Sequence, residues 1–262
     1  MGRFDKPRYN VQRFEPRFGP SGGGGSAPAA EAFDPVSLFG SSETGYIFDL
    51  SDTSTVFQDA GGGTTTPAAN GDRLGTLLDL SPNGNHINAP TSIPETRPTY
   101  RSSGGFGYAD FVASEVTHLK ASFTLAQTVT YIASFRYTAG TSVGLMDGNS
   151  TANCLIDVEA GPLLYIAAGN GIYGDVSISA AEDFVITARF SGATSRVAKN
   201  SDAYASDLDA GTNNPGGVTF GSYGGGSGGN SDMRLYRAIG IGRDMTDGEI
   251  ANARAWCQAG IP

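Results

Sequence analysis

Two segments in which apolar and polar residues alternate constrain the fold of this chain most. In the segment 128–137, every second residue from Val129 to Tyr137 is apolar, and Ile132 is the one apolar residue between them. The segment 184–190 repeats the pattern with Phe, Ile, Ala and Phe. Because successive side chains of a strand point to opposite faces, both segments are predicted to be half-buried strands.

Many further short strands are predicted along the chain. They lie near 46–48, 74–80, 97–101, 106–112, 116–122, 143–147, 153–159, 163–168, 172–178, 194–199, 203–206, 218–223 and 233–243. Glycine supplies 38 of the 262 residues, and Asp147-Gly148 or Ser191-Gly192 suit tight turns because glycine adopts positive φ readily. This pattern predicts an all-β fold, a two-sheet antiparallel jelly-roll sandwich.

Helical signals occur only at the two ends of the predicted domain, 34–262. Asp34 before Pro35 is typical of the N-cap and first position of a helical turn. Thr246 and Glu249 have the spacing of a capping box, which predicts a C-terminal helix over 246–258. Along that helix, apolar residues share one face, namely Ile250, Ala253 and Cys257, with Trp256 at its edge.

The segment 1–33 has no pattern that could build a core, and it is predicted to be an extended arm with a glycine-rich linker. Residues 1–20 carry a net charge of +3, whereas the rest of the chain carries −12. Arginine can pair with carboxylates while an adjacent aromatic ring fills a shallow pocket. We therefore predict that the arm docks on another protein through four arginine–aromatic pairs: Arg3, Phe4, Arg8, Tyr9, Arg13, Phe14, Arg17 and Phe18.

Composition excludes several classes of function. An acidic body argues against nucleic-acid binding, which depends on neutralising phosphates. No apolar stretch approaches the length of a membrane helix, so membrane insertion is not expected. Cys154 and Cys257 are expected to be buried thiols, and a single disulfide between them is the alternative. With only His86 and His118, no cofactor or histidine-based metal centre is predicted, and a calcium site is possible in principle but cannot be assigned.

Two segments carry a resemblance to a known family. Asp79-Leu80-Ser81-Pro82-Asn83-Gly84-Asn85-His86 lies before a predicted strand, and Met245-Thr246-Asp247-Gly248-Glu249-Ile250 follows the last one. Together they resemble the laminin-G-like, concanavalin-A-like lectin/glucanase jelly roll, over about residues 45–259. The resemblance implies the same sandwich fold and a lectin-like surface.

A narrower resemblance covers residues 33–80. The runs 33–39, 46–52, 56–59 and 64–67 are similar to a module of structural proteins from tailed phages and prophages. It implies a non-enzymatic virion structural protein, a capsid decoration, head or neck fibre or tail appendage. Such a protein would dock through its arm on capsid, neck or tail proteins, form a homo-oligomer and lie at the virion surface, with host-surface glycan attachment as a further role.

Catalytic motifs of the family are incomplete. Glucanases of this fold carry Glu-x-Asp-x-Glu on one strand, with nucleophile and acid/base on one face. Asp157 and Glu159 match the last two positions, but Leu155 stands at the nucleophile position. We therefore expect Asp157 and Glu159 to be non-catalytic carboxylates on a solvated strand face, and the chain not to be an enzyme. A glycoside hydrolase is the least favoured alternative.

A carbohydrate-binding module is the remaining alternative. Lectins of this kind bind sugars through loops rich in Asn, Asp and Gly with an aromatic residue. Loop residues of these types are the glycan-binding candidates, although each also suits an ordinary turn: Asp147, Asn149, Asn153, Asn170, Tyr173, Asn213, Asn214 and Tyr223. The glycine-rich run 221–229 lacks the lysine and helix of a phosphate loop and is expected to be a flexible surface loop.

Overall fold

Seventeen strands and one α-helix make up the part of the chain that this computed structural model describes, residues 33–40, 42–91, 93–139, 143–159 and 163–262. The strands are β1 Gly45–Asp49, β2 Val56–Phe57, β3 Thr76–Leu77, β4 Ile87–Asn88, β5 Thr99–Ser103, β6 Phe106–Phe111, β7 Leu119–Ser122, β8 Val129–Ala139, β9 Val143–Asp147, β10 Asn153–Glu159, β11 Leu163–Ala168, β12 Gly171–Ser177, β13 Glu182–Phe190, β14 Ser195–Lys199, β15 Ala205–Leu208, β16 Gly217–Phe220 and β17 Asp232–Ile241. A 3-10 turn spans Pro35–Leu38, and helix α1 spans Asp247–Gln258.

These strands form two antiparallel sheets, which confirms the predicted sandwich. The first sheet has the order β15-β14-β13-β8-β17-β6-β5, and β1 also pairs with β17. The second sheet has the order β12-β11-β10-β9-β16-β7-β4-β3-β2. Of the predicted arm, 1–33, only Phe33 lies within the described ranges. All eight predicted docking residues lie outside them.

The main core lies between the sheets and is rich in aromatic rings. Tyr46 and Phe48 stack at a centroid distance of 4.8 Å, and Phe220 meets both rings edge-on. The alternating apolar residues of β8 point into this core, as the sequence predicted. Truncating a buried ring such as Phe135 to alanine would cost about 3–5 kcal/mol, since the cavity cannot collapse fully.

A second apolar cluster covers the outer face of the first sheet. Helix α1 contacts β8, β13 and β17 and packs Ala253 and Cys257 onto apolar side chains that point away from the main core. Those side chains include Ile132, so the apolar residue that breaks the alternation of β8 packs beneath the helix. None of the helices in the described part of the chain is long and apolar enough to cross a membrane.

Both predicted helical ends are confirmed. The Asp34 carboxylate accepts the Val36 amide at 2.9 Å. At α1, the Thr246 hydroxyl accepts the Glu249 amide at 3.3 Å, and the Glu249 carboxylate accepts the Thr246 amide at 2.7 Å. Cys154 and Cys257 are buried free thiols, as expected.

Candidate functional site

Three side chains form a continuous row on the outer face of the second sheet. Asp157 of β10 lies directly opposite Tyr165 of β11, and Tyr165 lies opposite Tyr173 of β12. Since Ile156 and Val158 point into the main core, Asp157 between them points outward. We call Tyr173, Tyr165 and Asp157 the aromatic–acid row.

The two tyrosines of the row present an aromatic surface to solvent. Their rings meet edge to face at a centroid distance of 5.3 Å. Tyr173 is 49% exposed, and every other aromatic residue that the structure describes is half-buried or buried. A Cβ atom on Gly171 would come within 1.4 Å of the Tyr165 hydroxyl, so the ring occupies the space that a side chain at 171 would need.

Asp157 ends the row as a buried carboxyl group. It is only 1% exposed, and its Oδ2 accepts the Tyr223 hydroxyl at 2.8 Å. Burial, with a smaller contribution from the negative charge of Glu159, raises the pKa of Asp157 to about 6, against the hydrogen bond from Tyr223. The expectation of a solvated carboxylate is therefore wrong for Asp157, because the Tyr223 side chain lies on it.

Tyr223 belongs to the glycine-rich run 221–229, the glycine loop, which packs across the second sheet. The Gly225 amide donates to the Thr219 hydroxyl at 3.0 Å, and the Gly229 carbonyl accepts the Gly144 amide at 2.8 Å. A Cβ on Gly229 would lie 2.4 Å from the Tyr223 ring, so the loop packs closely around that ring. The expected flexible loop is in fact hydrogen-bonded to the sheet, and it holds Tyr223 over Asp157.

Asp147, one of the predicted glycan-binding residues, organises the loops beside Tyr223. Its carboxylate accepts four backbone amides at 2.7–3.0 Å, those of Gly148, Ala152, Asn153 and Gly224. Burial raises the pKa of Asp147 to about 6, although the four amide donors act in the opposite direction. The side chain is 1% exposed, so its main contacts are with its own loops.

The other predicted residues lie in three places. Asn149 accepts the Ser122 hydroxyl through its Oδ1 at 2.8 Å and lies beside the glycine loop, as does the Asn153 amide bound to Asp147. Asn213 and Asn214 surround Gln127, which donates its backbone amide to Asn214 Oδ1 at 2.9 Å and its side-chain amide to the Asn213 carbonyl at 2.8 Å. Asn170 is exposed on the β11–β12 turn.

Sequence reasoning missed Tyr165 and rejected Asp157, although both lie in the row with the predicted Tyr173. The signal for Tyr165 was present, since it alternates with the apolar residues Leu164 and Ile166 of β11. No group of three or more His, Cys, Asp and Glu side chains within the described ranges could hold a metal ion.

No protein-family model matches this chain, and no curated protein matches it. Several solved structures share its fold. A GH54 α-L-arabinofuranosidase soaked with a cyclic sulfate inhibitor has a TM-score of 0.57 and 13% identity, over 82% of this chain and 62% of that one. A mutant GH54 α-L-arabinofuranosidase soaked with 4-nitrophenyl α-L-arabinofuranoside has a TM-score of 0.55 and 14% identity, over 85% and 60%.

A sialidase from Trypanosoma rangeli is also similar, with a TM-score of 0.52 and 9% identity over 83% of this chain and 33% of that one. The chain thus spans less than two thirds of the length of each of these enzymes. At such identities the likeness establishes the fold alone. It supports the jelly-roll-like sandwich that the resemblance implied.

Two predictions are corrected by these comparisons. The prediction of a virion structural protein is wrong, because the similar structures are carbohydrate-active enzymes and they provide no link to a phage particle. The prediction that the chain is not an enzyme is wrong in the same respect, because glycosidases and a sialidase share its fold. The predicted docking partners, homo-oligomer and virion location are untested and stay predictions.

Proposed function

We propose that this chain is a carbohydrate-active sandwich domain that binds a glycan on the outer face of its second sheet, over the aromatic–acid row. We also propose that it belongs to the laminin-G-like branch of such sandwiches. The 79–86 segment supports this second proposal: the Asp79 carboxylate accepts the amides of Ile47, Ser81 and Asn85 at 2.8 Å each and so shapes the turn before β4.

The single observation that carries the binding proposal is the exposed ring of Tyr173 in line with Tyr165 and the Asp157–Tyr223 pair. Binding sites for small ligands combine apolar or aromatic surface with a few placed polar groups. The tyrosine rings offer faces for the apolar face of a sugar ring. At the end of the row, the half-buried Tyr223 phenol, held by its hydrogen bond to Asp157, offers a partner for sugar hydroxyls.

Binding is tested by titrating the purified chain with arabino- and xylo-oligosaccharides in a calorimeter. Tyr173→Ala is expected to weaken binding by at least about tenfold, because it removes the exposed aromatic anchor. Tyr108→Ala is the matched control, since Tyr108 lies on β6 in the first sheet. Unchanged affinity in Tyr173→Ala, or no binding by the parent protein to a broad glycan panel, would contradict the proposal.

A second candidate function is glycoside hydrolysis at Asp157. One observation favours it: a carboxyl group whose pKa burial raises to about 6 lies two residues from Glu159 on one strand face. Glycosidases commonly use an acid of raised pKa with a second carboxylate. Leu155, at the nucleophile position of the motif, has no carboxylate, so Glu159 would have to act as the nucleophile.

This candidate is tested with 4-nitrophenyl glycosides, whose cleavage releases a coloured phenol. If Asp157 is the general acid, the rate should fall as pH rises through about 6, because the acid form is lost there. Asp157→Asn should then reduce turnover by on the order of 10²-fold or more. Turnover that is equal in the variant and the parent would exclude this role.

A further inference from the structure

A groove of about 510 Å³ lies on the same outer face as the aromatic–acid row, where β4 and β7 pair. Asn88 of β4 lies directly opposite Lys120 of β7, and Lys120 lies opposite Thr219 of β16. Leu119 points into the main core, so Lys120 points outward into the groove. We call this the donor groove.

Lys120 and His86 supply hydrogen-bond donors to the donor groove. Lys120 donates to the Gly225 carbonyl at 3.2 Å and forms no ion pair with a carboxylate of the described residues. His86 Nδ1 accepts the Asp79 amide at 3.0 Å, so the neutral ring carries its proton on Nε2 and can donate there.

Asn88 also lines the groove, and its side-chain amide lies 2.8 Å from the Thr76 hydroxyl, which is itself 2.7 Å from the Asp59 carbonyl. No Asp or Glu is among the described residues that line the groove, although the chain carries 26 acidic residues and a net charge of −9. A lysine that has no carboxylate partner among the described residues, beside a neutral imidazole donor, is a setting that favours an anion.

We infer that the donor groove binds the anionic group, a carboxylate or a sulfate, of an acidic sugar in the glycan. This inference rests on the proposed function, because it extends the same glycan site across the sheet. β7 is three strands from β10 in the second sheet, so Lys120 lies roughly 14 Å from Asp157 in the strand-pairing direction. The glycine loop lies between them, since it contacts β9, β16 and Lys120.

The inference is tested by calorimetric titration with three probes of matched length: an oligogalacturonate, its carboxyl-reduced neutral form and a sulfated oligosaccharide. The parent protein should bind at least one acidic probe more tightly than the neutral one. Lys120→Met should weaken that acidic binding by about tenfold, the loss that one charge-assisted hydrogen bond supplies, and leave neutral binding unchanged. Which acidic probe gains affinity distinguishes carboxylate from sulfate.

Two variants serve as controls for charge and for position. Lys120→Arg keeps the charge and should retain most of the acidic preference. Arg101→Met removes one positive charge from β5 in the first sheet, where the side chain is exposed, and should leave all affinities unchanged. Added salt should weaken the acidic binding of the parent protein more than the neutral binding.

The outcomes separate this inference from the proposed function. Equal affinity for acidic and neutral probes, with both depending on Tyr173, would overturn the donor groove and leave the proposed function in place. An acidic preference that Lys120→Met does not alter would also overturn it. No binding of any of the three probes would overturn the inference about the donor groove, and the proposed function would fall with it only if the broad glycan panel also went unbound.

Discussion

The two outer faces of this sandwich differ in what covers them. The outer face of the first sheet carries Ile47, Ile132, Val185, Ile239 and Ile241 in one apolar cluster with helix α1. On the second sheet, Asp157, Tyr165, Tyr173, Thr219 and Lys120 occupy outward positions, and the glycine loop packs among them.

This difference shows that strand alternation predicts which side chains point outward but not whether the outer face is covered by another element or exposed to a ligand. Apolar outward residues on the first sheet need a covering element, because exposed apolar patches are costly. Polar and aromatic outward residues on the second sheet can remain at the surface and contact a ligand. Stability is therefore expected to depend on the first face and glycan binding on the second.

The largest effect is expected beneath the helix. Ile132→Ala should lower the free energy of unfolding by about 3 kcal/mol, because a buried side chain is replaced by a cavity between β8 and α1. Tyr173→Ala on the exposed face should change it by less than about 0.5 kcal/mol. Urea unfolding of both variants measures this contrast; similar losses in the two would refute the division of roles.

A smaller effect is expected from the buried carboxyl group of the second face. The pKa of Asp157 is raised to about 6 in the folded protein, above the value of about 3.9 for an unfolded chain. The folded state therefore binds this proton more tightly, and the group's contribution to stability falls as pH rises from about 4 to about 6.

Asp157→Asn removes that dependence. The unfolding free energy of the variant, minus that of the parent protein, should increase by on the order of 2 kcal/mol as the pH rises from about 4 to about 7. Urea titrations at both pH values measure it, with the exposed Asp202→Asn as control. If the two variants show the same pH profile, the burial of Asp157 does not control its ionisation.

The helix cap should contribute less. Thr246→Ala removes the acceptor of the Glu249 amide and should cost about 1 kcal/mol, typical of an N-cap loss. Thermal unfolding measures the change, and glycan affinity should stay constant because α1 packs on the opposite sheet. A fall in affinity with this variant would mean that the two faces are coupled.

A small effect on stability, with a clear effect on binding, is also expected at Gly171. Gly171→Ala places a methyl group where the Tyr165 ring lies, and the ring must move aside. Unfolding free energy should change by less than about 1 kcal/mol, since a surface ring can rotate. Glycan affinity should fall severalfold in calorimetry; an unchanged affinity would place the ligand away from Tyr165.

Much of the fold was predictable because its signals are local. The alternation in 128–137 and 184–190 marked two central strands, and Thr246 with Glu249 marked the start of the helix. Ile132 was recognised as an exception, but its reason lies in α1, more than a hundred residues further along the chain. The site was harder, because Asp157, Tyr165 and Tyr223 come from three separate segments.

The sequence by itself determined the strand-rich sandwich and the capped helix, because period-two patterns, turns and caps act over a few neighbouring residues. Only the tertiary structure decided which outer face the helix covers and which face carries the site. Sheet register aligned Asp157 with Tyr165 and Tyr173, and the packing of the glycine loop brought Tyr223 onto Asp157. Register and loop packing depend on contacts between distant segments, and those contacts also bury Asp157 and raise its pKa.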